Sequence, residues 1–344
     1  MDDVSKHETS VSGNKSKAGT WQFVKSGNPL IFLAVMLCGA LSVYLSFYPV
    51  IHSPGWPESF ETHAWNWRVA VFHNAMRHGD LIPLWSPQES LGMGSAMPLF
   101  YHRLFNTVAA GLMFITGTIK SASIVTIFIF SLVAIWGIYC IGRLLRLDWR
   151  LSFIVAMAFP HLNYVRTDLF IRGAFAEFCA LSLCVWLLWW CINLLRFRRF
   201  SLSLGLIMWL IFLSHSVTAF YSVLIPAVAC LLFVRRYPGR WRPVVVKGCI
   251  SLLVFVVLVA PLIIGIWYVR STIDLSYLQE MFPSQNYREF WRYIYEPFDW
   301  STIPICCTMQ LDSFVLVGLI VFAAILFWKS LKHKQKITDF DIRQ

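Results

Sequence analysis

Carboxylates, histidines and arginines gather in a few short stretches of this chain, and those stretches are where chemistry is possible. The first carries Glu58, Glu61, His63, Arg68, His73, Asp80 and Glu89, with Tyr101, His102 and Arg103 further along. A second, after Pro160, carries His161, Arg166, Asp168 and Arg172, with Glu177 about one turn into the apolar run that follows. His215 stands nearly alone in a third. The fourth, 270–311, is rich in aromatics and charge, including Tyr287-Arg288-Glu289-Phe290-Trp291-Arg292-Tyr293. A carboxylate kept ionised beside a cation can accept a proton as a general base. Arginine offers a planar fork matched to phosphate oxygens. Asp168 and Arg172 have the i,i+4 spacing of a helical ion pair.

The apolar runs between these stretches must position them. At 58% hydrophobic and 14% charged residues, with a mean hydropathy of +0.62, the chain lacks the polar surface of a soluble domain. Runs at 29–51, 121–142, 173–195, 244–269 and 312–328 have the length needed to cross a bilayer as helix. The run 151–165 is shorter and carries Pro160, and 200–234 is too long for one helix, with a turn near Ser214-His215-Ser216. The expected fold class is an all-α polytopic membrane protein of about eight transmembrane helices.

Basic residues fix the expected orientation. Lys15, Lys17 and Lys25 precede the first run; Arg143, Arg146 and Arg150, then Arg196, Arg198 and Arg199, then Arg235, Arg236, Arg240, Arg242 and Lys247 occupy alternate loops. Lys329, Lys332, Lys334 and Lys336 follow the last run. The positive-inside rule then puts both termini in the cytoplasm and the four chemistry-bearing stretches together on the outer face. The segment 97–119 keeps these charges consistent only as an interfacial or re-entrant part of a long first external loop, 52–120. The expected organisation is a cytoplasmic tail at 1–28, a transmembrane domain at 29–328 with a last external loop at 270–311, and a basic cytoplasmic tail at 329–344. The first run reads as an uncleaved signal anchor. A net charge of +11 held in short loops beside helix ends points to anionic membrane lipids and away from nucleic acid. Most of the nine cysteines fall inside apolar runs, and no CxxC or Cys/His metal spacing occurs. No cofactor or metal is called for.

The order of residues in the first loop is more specific. Glu61-Thr-His-Ala-Trp-Asn-Trp-Arg68 is followed by Gly79-Asp-Leu-Ile-Pro83-Leu-Trp85-Ser-Pro87, Gly92-Met-Gly94 and Pro98-Leu-Phe100-Tyr101. Later come Phe170-Ile-Arg172-Gly173-Ala174-Phe-Ala176-Glu177 and Leu213-Ser214-His215. This series, over 61–220, resembles the membrane family labelled as related to 6-pyruvoyl-tetrahydropterin synthase, whose members look like glycosyltransferases of the GT-C superfamily. The family's first loop has an acidic residue, a histidine four residues on and an arginine, then G…P-x-W-x-P and G-x-G-x-P. Here the acid is Glu61, Trp65 stands at the histidine position with His63 nearby, and the interval from Gly94 to Pro98 is longer.

The resemblance implies a GT-C-like core in a cell (inner) membrane. It implies inverting transfer of a sugar from a polyprenyl-phosphate-linked donor to an extracytoplasmic glycan or protein acceptor. Glu61 would be the base and Arg68 its cation; Arg166, Arg172 and His215 would meet the phosphate. His63, Asp80, Tyr101, His102, Arg103 and Glu177 complete the expected binding residues. Two other readings stay open at this stage: a lipid-linked glycan transporter or flippase, and a non-catalytic membrane subunit of a glycan-assembly complex.

Overall fold

A computed structural model describes residues 29–270, apart from 58, 60, 88 and 198–201. The tail at 1–28 and residues 271–344, with the rest of the last external loop, the expected eighth crossing and the C-terminal tail, lie outside the described residues. The described chain is helical, with no strand beyond one isolated bridge between Ser86 and Ser95.

Its long helices are α1 (Pro29–His52), α5 (Ile119–Leu144), α8 (Phe175–Phe197) and α12 (Trp241–Val269). Helices α10 (Ser216–Ser222) and α11 (Leu224–Arg236) run on from one another and together form a fifth apolar rod. These five are long and apolar enough to cross a membrane. Between them lie α2 (Thr62–Arg77), the one-turn α3 (Met97–Phe100), α4 (Leu104–Thr116), α6 (Trp149–Met157), the one-turn α7 (Asn163–Arg166) and α9 (Ser203–Ser214). Helix α8 is the hub, packed by α5, α9, α11, α4 and α10.

Two of the expected crossings take a different form. The run 151–165 is not one helix: α6 ends at Met157, and a 3-10 turn at Phe159–His161 leads into α7. Pro160 cannot donate to the ladder, so carbonyls at this break lose their helical partners. Helix α1 supplies replacements, for Ser42 Oγ donates to the Met157 carbonyl at 2.9 Å and Ser46 Oγ to that of Pro160 at 2.9 Å. The serines are four apart and share a face of α1, which is how a helix at membrane depth tolerates a broken neighbour. Helix α9 is continuous but has 12 residues, about 18 Å at 1.5 Å per residue, against a hydrocarbon core of about 30 Å. It ends at the expected turn, Ser214-His215-Ser216.

Helix α4, within the segment read as interfacial, is an apolar helix of 13 residues and is also too short to cross. It packs on α2 and α5 and stops at Gly117, whose left-handed φ of 73° lets its N–H reach the Met113 carbonyl. Thr118 then caps α5, its side chain accepting from the Ser121 N–H. Small residues allow the tightest helix crossings: a Cβ on Gly137 of α5 would collide with Val185 and Trp186 of α8. The core is a main apolar cluster running from Val35 to Val244, with a small second one at Val71, Phe72 and Ala110 between α2 and α4.

Candidate functional site at the head of α8

The site begins where the chain turns into α8. Residues Thr167–Arg172 form a π-helical turn, a wider winding often found at functional sites. Gly173, at φ 69°, reverses the chain, and the Ala174 N–H closes the turn onto the Asp168 carbonyl at 2.8 Å. Asp168, Arg172 and, four residues past the reversal, Glu177 are thereby brought together.

Arg172 Nη1 lies 2.7 Å from Asp168 Oδ1 and 2.8 Å from Glu177 Oε2. Both carboxylates engage the same nitrogen of the guanidinium. Tyr164 Oη donates to the other oxygen of Glu177. Asp168 is 1% exposed, and its Oδ2 is buried without a hydrogen-bond partner. Burial, with Glu177 close by, pushes the Asp168 carboxyl well above the usual aspartate range, and Arg172 only partly counters it. Burial pulls the Arg172 guanidinium down, but Asp168 and Glu177 together outweigh it and raise it.

Glu61 joins this cluster through its backbone, its N–H donating to the Arg172 carbonyl at 3.2 Å. It stands at the N-cap of α2 with no side-chain capping bond, so its carboxylate is left to other work. That carboxylate is about half exposed (48%) and lies 3.7 Å from Arg68 Nη1. About two turns along α2 from Glu61, Arg68 is buried; its guanidinium carbon sits 3.7 Å above the Tyr101 ring and 5.0 Å from that of Trp65. Arg68 Nη1 has no hydrogen-bond partner.

A histidine pair closes the other side, with the His102 and His215 rings 4.3 Å apart. His215 caps α10, and its Nδ1 accepts from the Thr218 backbone N–H at 3.2 Å. An amide can only donate, so Nδ1 is unprotonated and the neutral ring carries its hydrogen on Nε2. Burial lowers the His215 pKa, Arg172 acting with it and Glu177 against it. His102 is pushed down to about 3 by burial, His215 and Arg68, in that order. The two imidazoles thus stand beside the two arginines of the cluster, and both are biased toward the neutral ring.

The supports are apolar and specific. Trp65 is 1% exposed and packs edge-on to Phe105 at 5.4 Å, with Phe175 5.9 Å away. Trp65 therefore joins α2, α4 and α8 as a core residue. Ser214 Oγ donates to the Ala176 carbonyl at 2.8 Å, which fixes His215 over the head of α8. The Arg103 N–H donates to the Leu213 carbonyl at 2.8 Å, tying α4 to the end of α9. Within the first loop the Trp85 ring covers Gly94, where any Cβ would collide with it, and Gly94 has φ 84°. Trp67 Nε1 donates to Glu89 Oε1 at 2.6 Å. The Trp-x-Pro and Gly-x-Gly pieces thus brace one another.

Of the residues chosen from sequence, Glu61, Arg68, Tyr101, His102, Arg172, Glu177 and His215 converge here. Arg103, Asp80 and Arg166 do not. The Arg103 guanidinium is buried and donates to the Pro83 carbonyl, a strut under the first loop. Asp80 is exposed; its Oδ1 accepts from the Ile82 N–H at 3.1 Å in a local turn. Arg166 is exposed and forms no ion pair among the described residues. His63 lies in the first turn of α2. Tyr164 was not among the sequence candidates, since a tyrosine near the end of an apolar run reads as an interfacial anchor. Among the described residues no group of three or more His, Cys, Asp or Glu is placed to hold a metal ion.

Comparison of the chain with protein-family models, with curated proteins and with solved structures finds no match.

Proposed function

We propose that the protein is a membrane-embedded glycosyltransferase of GT-C type that transfers a sugar from a polyprenyl-phosphate donor to an extracytoplasmic acceptor. The observation that carries this reading is the division of labour among three carboxylates around two arginines. Asp168 and Glu177 are turned onto Arg172, whereas Glu61 is half exposed and free of side-chain capping. Glu61 is the carboxylate an acceptor can reach. Arg68, buried beside it with Nη1 turned to the carboxylate at 3.7 Å, supplies the positive charge that keeps Glu61 ready to accept a proton.

In the reaction the acceptor hydroxyl attacks the anomeric carbon while the bond from that carbon to the phosphate oxygen breaks. The bonding electrons leave with polyprenyl phosphate, the hydroxyl proton passes to Glu61, and the anomeric centre inverts. Arg68 and Arg172 stabilise the growing charge on the departing phosphate. Both carboxylates hold Arg172 through Nη1, and the other N–H groups of its fork are the ones that would meet a phosphate oxygen. The His215 Nε2–H is a further donor. A donor with a long lipid tail explains the apolar helices around the site: it enters from the bilayer. The orientation that matches places this head of the bundle outside an inner membrane and both termini in the cytoplasm.

Deletion of the gene, followed by mass spectrometry of cell-surface glycans, tests the reading. Loss of one sugar from a surface glycan on deletion, restored by the wild-type gene, is the expected result. Unchanged glycans under conditions where the gene is expressed would overturn it.

A further inference from the structure

At the opposite end of the bundle lies a cleft that the polar cluster does not use. Its volume is about 680 Å³, and it is lined by Leu145 just past α5, Ile192 and Leu195 in the last turns of α8, and Leu232, Arg235 and Arg236 of α11. Ile192 is fifteen residues beyond Glu177 on α8, about 22 Å away at 1.5 Å per residue. The two sites are separate.

We infer that this cleft is a binding site for one anionic phospholipid, whose acyl chain lies on the leucines and whose phosphate meets Arg235 and Arg236. The lining divides by chemistry. Leu145 and Leu232 are 47% and 49% exposed, an apolar floor between three helices. Arg235 and Arg236 form the polar edge, and neither pairs with a carboxylate among the described residues. Arg236 is steadied by Tyr237, its Nε 3.3 Å from the phenol oxygen.

Only an amphiphile with a negative head satisfies both halves. A soluble anion would leave the leucines wet. A zwitterionic lipid would fill the floor but bring no net charge to the two guanidiniums. The volume falls in the range of small-molecule clefts, and this one is open on its outer side, as a groove that takes an acyl chain from the bilayer must be. Basic pockets between membrane helices recognise phospholipid heads in this way, and a cation near an anionic membrane surface is worth about five-fold.

Native mass spectrometry of the purified full chain tests the site, with phosphatidylglycerol and phosphatidylcholine of identical acyl chains at equal concentration. The wild type should retain phosphatidylglycerol in preference by roughly tenfold or more. The double variant Arg235→Gln/Arg236→Gln should lose that preference. Leu232→Trp, which fills the floor and keeps both charges, should lose it too, and its melting temperature in phosphatidylcholine shows whether it is folded. Equal retention of the two lipids by the wild type would overturn the site. So would a preference that survives in folded Leu232→Trp, because the lipid would then be held by surface charge alone. If the double variant does not fold, the Leu232→Trp result decides.

Discussion

Arg172 Nη1 and Asp168 Oδ1 are 2.7 Å apart, and the carboxylate of that pair is closed to solvent. The π-helical turn at Thr167–Arg172 makes the contact, and Gly173 then brings Glu177 to the same nitrogen from the other side. One guanidinium therefore meets both acids at the head of α8. Removing it leaves Glu177 without a counter-charge and Asp168 without its hydrogen-bond donor. Arg172→Met should destabilise the protein by about 3–5 kcal/mol. Arg172→Lys should recover part of the loss, since an ammonium supplies the charge without the planar fork. Thermal unfolding in detergent, followed by tryptophan fluorescence, measures both.

Asp168 gives this cluster a pH dependence with a definite sign. Its pKa is raised in the fold, by burial first and Glu177 second. A raised carboxyl pKa means that the folded state favours the protonated form. The associated stability is complete below the ordinary value of 3.8 and is lost as pH rises through the folded-state value. Asp168→Asn keeps a neutral group of the same shape. The melting temperature of the wild type should fall relative to Asp168→Asn as pH is raised from 4 towards neutrality. Parallel curves for the two proteins would contradict the assignment.

His102 acts with the opposite sign. Its pKa is lowered to about 3, chiefly by burial, so the folded state favours the neutral ring. Stability from this group is complete above the ordinary value of 6.5 and is lost as pH falls from there towards 3. His102→Gln, neutral throughout, should flatten the acid side of the melting curve between pH 6.5 and 3. Under acid conditions the His215 cap must also give way, because Nδ1 cannot both carry a proton and accept from Thr218.

Trp65 stands where the family pattern has a histidine, and in this fold it is core. Edge-on to Phe105 and near Phe175, it fixes α2 against α4 and α8. Trp65→Ala should cost about 3–5 kcal/mol, and Trp65→His should also destabilise, by placing a polar ring among aromatics. Any activity lost in these variants should track their melting temperature. A variant that stays fully stable and loses activity would show that Trp65 touches substrate.

How far these features are legible in sequence differs from residue to residue. The hydrophobic runs mark the long helices, and the turn at Ser214-His215-Ser216 falls where polar residues interrupt a run too long for one helix. Asp168 and Arg172 are a turn apart, so their pairing is local and readable. The break at Pro160 is visible, but its repair by Ser42 and Ser46 is not, because it depends on which face α1 presents. Arg103 and Arg68 look alike in sequence. One holds the Pro83 carbonyl and the other stacks on Tyr101, a difference set by the path of the first loop. Tyr164 is legible only once the chain reversal at Gly173 brings Glu177 back to it.

In the proposed reaction Glu61 takes the acceptor proton, and substitution of that carboxylate in cells is the decisive experiment. Deletion strains carrying wild type, Glu61→Asp or Glu61→Gln at equal membrane levels are compared by mass spectrometry of their surface glycans. Glu61→Gln keeps the size of the side chain but cannot act as a base; loss of a general base costs about 10²- to 10⁴-fold. The sugar missing on deletion should return with wild type, return in part with Glu61→Asp, and stay absent with Glu61→Gln. Full restoration by Glu61→Gln would contradict this role.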